Sequence, residues 1–334
     1  MNGIDLTVIW AGIIAFAIMV YVIMDGFDLG IGILFPNFKV GPDRDTAMNS
    51  IAPVWDGNET WLVLGGGGLL AAFPLAYAII LPALYAPLIA MLLGLVLRGV
   101  AFEFRWRDPA HRALWDAAFT IGSAIATFAQ GVALGALLQG ITVEGRAYAG
   151  GWWEWLTPFT MLTGAALIVG YALLGCCWLI WKTEGALQRQ CYSYAGRLGI
   201  LLLLAIIAVS AATPFLEAEY YARWLAYPGI IATAQIPLAT VVVSFLFFRS
   251  LSKRKEAAPF LYALALFGLC LVGLAVSMWP DVIPGRVTIW DAAAPERSQI
   301  FMLIGVAITM PLIIGYTGWA YWVFRGKVGS DGYH

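Results

Sequence analysis

The chain has 334 residues, 61% apolar and 12% charged, with a formal net charge of −1 and a mean hydropathy of +0.82. Soluble domains carry about 25% charged and about 45–50% apolar residues, so this composition cannot be wrapped in a water-compatible surface. A cytosolic enzyme and a disordered chain are excluded, and the charge balance leaves no basic footprint for nucleic acid. At about twenty residues per span, the length holds roughly eight to ten membrane helices.

Apolar runs of membrane length predict nine spans, over residues 6–35, 52–73, 78–97, 113–138, 157–181, 198–213, 226–248, 259–278 and 300–324. The first holds two aspartates and no small-x-small cleavage site, so it reads as a span and not a signal peptide. Nine spans place the termini on opposite sides. The basic residues then divide 4 to 15, with Arg146, Arg223, Arg286 and Arg297 on the poorer side. Positive charge stays inside, which puts the N-terminus outside and the C-terminus in the cytoplasm. Connections are short, the longest covering 280–299, so residues 1–334 read as one transmembrane domain with no soluble domain.

Several local features have plain structural readings. Trp152, Trp153 and Trp155 at one end of the fifth span, with Trp178 and Trp181 at the other, read as two aromatic belts. The four glycines 65–68 read as a surface for close helix packing, with a path for a small ligand as the alternative. Lys253, Arg254 and Lys255 read as a topology anchor. No internal repeat is evident.

Four cysteines and two histidines are a small stock of metal ligands. Cys176 and Cys177 are adjacent in a span, Cys191 falls in a cytoplasmic connection and Cys270 is alone in another span. No zinc or iron–sulfur spacing is present. An axial haem ligand needs to stand at membrane depth, whereas His111 falls in a basic connection and His334 is the last residue. The chain is expected to bind no haem or metal by itself and to hold no catalytic residue.

Four acids fall inside spans. Asp25 and Asp28 share one face of the first helix, and Asp56 and Glu59 share one face of the second, each pair at i, i+3. An ionised acid at mid-bilayer costs roughly 2.5–3.5 kcal/mol. Asp25 lies about 15 Å from the cytoplasmic end of its helix at about 1.5 Å per residue, and the other three lie nearer that side. Two close carboxylates in low dielectric cannot both ionise cheaply, which suits a proton relay. The alternative is a set of ion pairs, with Arg98 at the end of the third span as charge partner.

These residues also resemble a known family. Asp25-Gly26-Phe27-Asp28-Leu29-Gly30, the stretch from Ser50 to Leu62 that reads SIAPVWDGNETWL, and Arg98-Gly99-Val100-Ala101-Phe102-Glu103-Phe104-Arg105 are similar to the motifs of subunit II of cytochrome bd-type quinol oxidases. The motif match covers roughly the first 110 residues, and beyond them the likeness lies in span count, length and short loops. The resemblance implies an all-α integral membrane protein of two four-helix bundles plus one peripheral helix, in a bacterial inner membrane. It implies subunit I as partner, holding two b-type haems and haem d, with a small single-span accessory subunit and a bound quinone as further components. Quinol and oxygen are the substrates of such a complex, membrane lipids surround it, and no nucleic acid takes part. Asp56 matches the acid of the WDGN motif assigned to proton delivery. Asp25 and Asp28 match polar residues near that route, and Trp61 matches a tryptophan at the mouth of an oxygen path. Glu59 stands where some members have Gln and adds a fourth titratable group. Glu103 stands where Asp also occurs, and the length is nearer the cyanide-insensitive branch. A proton-coupled secondary transporter and a purely structural partner subunit remain as alternatives.

Overall fold

The computed structural model describes residues 5–328, so His334 lies outside the described residues. The chain is almost wholly helical: α1 (Leu6–Leu34), α2 (Pro42–Asn49), α3 (Trp55–Ala72), α4 (Pro74–Ala83), α5 (Tyr85–Arg107), α6 (Arg112–Gln139), α7 (Pro158–Lys182), α8 (Gly185–Ala212), α9 (Ala218–Trp224), α10 (Gly229–Thr233), α11 (Gln235–Ser252), α12 (Ala258–Met278), α13 (Ile289–Ala292) and α14 (Glu296–Val323). Two short antiparallel hairpins sit in connections, β1 (Val143–Glu144) with β2 (Ala147–Tyr148) and β3 (Asp281–Ile283) with β4 (Val287–Thr288).

Among the described residues eight helical segments are long and apolar enough to cross a membrane: α1, α5, α6, α7, α8, α10 with α11, α12 and α14. The second expected span forms as α3, an 18-residue helix, but Asp56, Asn58 and Glu59 in its first turns keep it below that hydropathy. The third expected span straddles a break. Leu84 separates α4 from α5, and Pro87 cannot donate to the carbonyl of Ala83, so the ladder is interrupted there. Pro237 interrupts the seventh span in the same way, dividing α10 from α11 at Ala234. The sixth expected span begins too late. Helix α8 starts at Gly185, because its first turns are amphipathic and carry Gln188, Arg189 and Gln190 outside the apolar run. Cys191 is therefore helical and fully buried, with Cys176 and Cys177 of α7, whereas Cys270 is exposed on α12.

Helix ends follow local chemistry. Asp5 caps α1 by accepting from the Thr7 and Val8 amides at 2.9 and 3.3 Å. Thr157 and Thr160 form a reciprocal capping box on α7, with Pro158 in its first turn.

Helix α7 is the centre of the packing. Its most apolar window is 72% buried, against 0% for α14. It touches α1, α6, α8 and α12, while α14 lies on α1 and α3. Trp178 belongs to this core: it is 3% exposed and stacks on Phe27 with ring centroids 4.3 Å apart. The expectation of a second aromatic belt fails at Trp178, because the central helix is enclosed at that level. Trp152 and Trp153 do stand exposed at the opposite end.

Backbones meet where glycines allow it. A Cβ on Gly30 would fall 1.8 Å from the Tyr171 carbonyl oxygen, and one on Gly94 would fall 2.7 Å from that of Gly122. The glycines of α3 divide by face. Gly65 and Gly68 pack on Ile18 and Ile14 of α1, while Gly66 and Gly67 meet nothing within 4 Å.

The connections sort into two ends. At one, Trp290 donates to Asp5 at 2.8 Å and Tyr220 donates to the Leu138 carbonyl at 3.1 Å. At the other, Arg44 meets Asp116, Gln190 donates to the Asn37 carbonyl, and the Val328 amide donates to the Lys182 carbonyl.

Candidate functional site

Helix α1 carries Asp25 and Asp28 on the side where α3, α5 and α6 approach. Both are 0% exposed. Neighbouring elements supply their partners. Arg98 of α5, itself 1% exposed, donates through Nη1 to Asp25 Oδ1 and through Nη2 to Glu59 Oε1, both at 2.7 Å. Its guanidinium also lies 5.8 Å from the centroid of Trp55. Asp28 receives no ion pair among the described residues. Asn58 Nδ2 donates to its Oδ2 at 2.7 Å, and Tyr321 of α14 donates to Asn58 Oδ1 at 3.0 Å. Asp25 Oδ2 and Asp28 Oδ1 are buried without a hydrogen-bond partner.

The cluster is electrostatically unbalanced. One guanidinium faces three carboxylates, Asp25, Glu59 and Asp28, so full ionisation would leave net negative charge in low dielectric.

The ion-pair alternative describes Asp25 and Glu59, which Arg98 joins. It does not describe Asp28, which faces an amide, or Asp56. The Asp56 side chain is exposed on α3 and makes no hydrogen bond or ion pair among the described residues. Residues at i, i+3 stand about 60° apart around a helix. That is enough for Glu59 to reach Arg98 at 27% side-chain exposure while Asp56 points off the chain. Three of the four expected acids are thus brought together, and the fourth sits one turn away on the outer surface.

Trp61 is 2% exposed and packs edge-on against Phe16 at 5.9 Å. It closes a small cluster with Ala17 and Tyr21. His111 stands in the exposed connection before α6, with Nδ1 2.9 Å from Asp108 Oδ2. Among the described residues no group of three or more His, Cys, Asp or Glu side chains is placed to hold a metal ion.

Two polar groupings lie beyond the residues the sequence singled out. At the end of the bundle rich in basic residues, Arg105 of α5 (1% exposed) donates to Asp116 Oδ1 of α6 at 2.5 Å and to Asp45 Oδ1 of α2 at 2.9 Å. Arg44 takes the other Asp116 oxygen at 2.8 Å, and Arg112 reaches Asp45 at 2.9 Å. In the sequence these arginines register only as topology charges. The signal that separates Arg105 from its neighbours is its i, i+7 spacing from Arg98, which returns both to one face of α5. Deeper in, Gln130 of α6 donates to the Tyr21 hydroxyl at 2.7 Å and accepts from the Tyr171 hydroxyl at 3.0 Å. A lone glutamine in an apolar run is the trace this leaves in the sequence.

Comparison with known proteins places the whole chain. Residues 6–324 match the family profile described as cytochrome bd terminal oxidase subunit II. The chain is 27% identical to the cytochrome bd-I ubiquinol oxidase subunit 2 of Escherichia coli K12, over 97% of this chain and 95% of that one. It is 28% identical to the cytochrome bd ubiquinol oxidase subunit 2 of Bacillus subtilis, over 96% of each. Among solved structures, a chain of the bd oxidase from Geobacillus thermodenitrificans has the same fold. The TM-score is 0.82 at 16% identity, covering 96% of this chain and 99% of that one.

Proposed function

The chain belongs to the cytochrome bd terminal oxidase subunit II family, and from that premise we propose that its carboxylate cluster serves proton delivery within the oxidase complex. It is a subunit of a multi-pass membrane oxidoreductase. Reduction of oxygen to water consumes one proton for each electron, so a route for protons has to reach the reaction site. The haems, two of type b and one of type d, are assigned to partner subunit I, where they supply the redox chemistry when bound. A small single-span subunit and a structural quinone complete the assembly. In this reading α3 is the ninth span, the N-terminus faces outward, the C-terminus is cytoplasmic, and the membrane is the bacterial inner one.

The observation that carries the reading is the imbalance at Arg98: one buried guanidinium, three carboxylates and two carboxylate oxygens without partners. A structural ion pair needs one acid per cation. The surplus acids here gain and lose protons at little cost, because Arg98 holds the site whichever carboxyl is protonated. Asp56 stands exposed one turn from Glu59 and hands protons between the partner subunit and the interior set. Asp25, Asp28 and Glu59 form that set, Arg98 is its fixed counter-charge, and Trp61 lines the oxygen path. The transporter alternative is set aside by the family match.

The test is Asp56→Asn. The complex is expected to assemble with its normal haem spectrum while quinol-driven oxygen consumption falls by about tenfold or more. Full activity removes Asp56 from the route.

A further inference from the structure

Hydroxyl side chains in the helices of this protein follow a habit. Thr120, Thr183, Thr213, Ser244 and Ser277 each donate to the carbonyl four residues back, at 3.1, 2.6, 2.8, 2.6 and 2.9 Å, as such residues do when no other acceptor is at hand. Ser123 and Thr127 of α6 do not. Both are 0% exposed, and neither oxygen has a hydrogen-bond partner.

Their place in the fold is fixed by two contacts along α1. Ser123 Oγ lies 2.0 Å from where a Cβ on Gly32 would stand, and Gln130 bonds Tyr21 at 2.7 Å. The two helices therefore run antiparallel, with 123 beside 32 and 130 beside 21. Thr127, between those contacts on the same face of α6, stands opposite the stretch of α1 that carries Asp25 and Asp28. The unpartnered Asp25 Oδ2 and Asp28 Oδ1 belong to that stretch. Four orphaned oxygens, two hydroxyl and two carboxylate, thus share one buried seam.

We propose that the α1–α6 seam is a water-binding site, held by the Ser123 and Thr127 hydroxyls and the free oxygens of Asp25 and Asp28. A buried water makes about three hydrogen bonds. Water donates to a carboxylate oxygen and accepts from a hydroxyl, which is the pairing these four atoms lack. The seam is closed at one end by the Tyr21–Gln130–Tyr171 chain. There Gln130 donates to the Tyr21 hydroxyl and accepts from that of Tyr171, and the Tyr21 hydroxyl keeps its own proton beside Asp25. The site is defined by its orphaned oxygens and stands whether or not protons use it.

The experiment is a high-resolution map of the intact complex in lipid nanodiscs, for the wild type and for the Ser123→Ala/Thr127→Val double variant. Expected is solvent density within hydrogen-bond distance of Thr127 Oγ1 and of an Asp25 or Asp28 oxygen in the wild type, and its loss in the variant. A wild-type map with both hydroxyls turned back onto the carbonyls of α6 and no density between the helices overturns the site. That wild-type map decides the matter even where the variant fails to assemble. Oxygen consumption is read on the same samples. Density that disappears with unchanged turnover keeps the site and removes it from the proton route.

Discussion

Two buried arginines on one face of α5 head two clusters of opposite design. Arg98 is one cation among three acids, with carboxylate oxygens left over. Arg105 stands in a set of three arginines and two aspartates. Both oxygens of Asp116 are occupied there, and Asp45 Oδ1 accepts from two guanidinium groups. Aromatic faces back that second cluster: Phe35 lies beneath Arg44 and Arg105, at 5.4 and 5.5 Å, and Trp106 lies beside Arg105 and Arg112, at 4.9 and 5.1 Å. Among the described residues the first cluster leaves carboxylate oxygens without donors, and the second leaves Arg105 Nη1 and Arg112 Nε without acceptors. The second staples α2 to the ends of α5 and α6.

The contrast can be broken at several points. Arg98→Met should have the largest effect, because it leaves the buried Asp25 and Asp28 and the half-buried Glu59 without a counter-charge. A loss of about 3–5 kcal/mol should appear as failure of the complex to accumulate. Arg98→Lys should recover part of the yield, since a single ammonium cannot reproduce the two-armed geometry. Arg105→Met should also cost about 3 kcal/mol, read as a lower melting temperature, yet oxygen consumption per assembled complex should hold. Turnover falling at unchanged stability would make the two clusters alike.

Trp61→Ala removes a buried ring packed on Phe16 and should cost about 3 kcal/mol of packing. Steady-state kinetics should show weaker apparent oxygen affinity at unchanged quinol affinity; no shift in either makes Trp61 a packing residue. The smallest effect is expected at the C-terminal clip, where Lys327 Nζ meets Glu256 Oε2 at 2.9 Å. Hydrogen bonds from Lys327 and Gln188 hold the Glu256 carboxyl below its ordinary value of 4.5. A lowered folded value means the contact contributes fully above pH 4.5 and fades as the pH falls through the lowered value. Limited proteolysis of the tail should accelerate only in that acid range, and Lys327→Gln should remove the dependence.

Much of the architecture is legible in the sequence because membrane spans obey a one-dimensional rule. Apolar length gives α1, α6, α7 and α12 to within a residue at each end, and α14 with its start four residues before that of the expected run. The rule fails where polarity and helicity part company. The helix α8 begins in amphipathic residues, and Pro87 and Pro237 interrupt runs that hydropathy reads as continuous. Asp25, Asp28 and Glu59 are visible as acids in apolar surroundings, and Arg98 as their partner. What periodicity cannot supply is which way α3 is turned by less than a quarter rotation, and that decides that Glu59 enters and Asp56 does not. The Arg105 staple was hidden for another reason. Charges at the end of a span satisfy the topology rule so well that nothing marks one of them as buried.

The contact between Gly30 and α7 has a bearing on the membrane itself. Gly30 meets the Tyr171 carbonyl, and Gly175 meets the backbone of Gly30, with no side chain between them. This backbone clamp sits within a turn of Asp28. Bilayers of different thickness are accommodated by tilting helices, at fractions of a kcal/mol per Å, and tilt needs side chains that can slide. The exposed helices α8, α11 and α14 have that freedom, and α1 on α7 does not. In a thinner or thicker lipid environment the periphery should yield first, while Asp25 and Asp28 keep their register against α7.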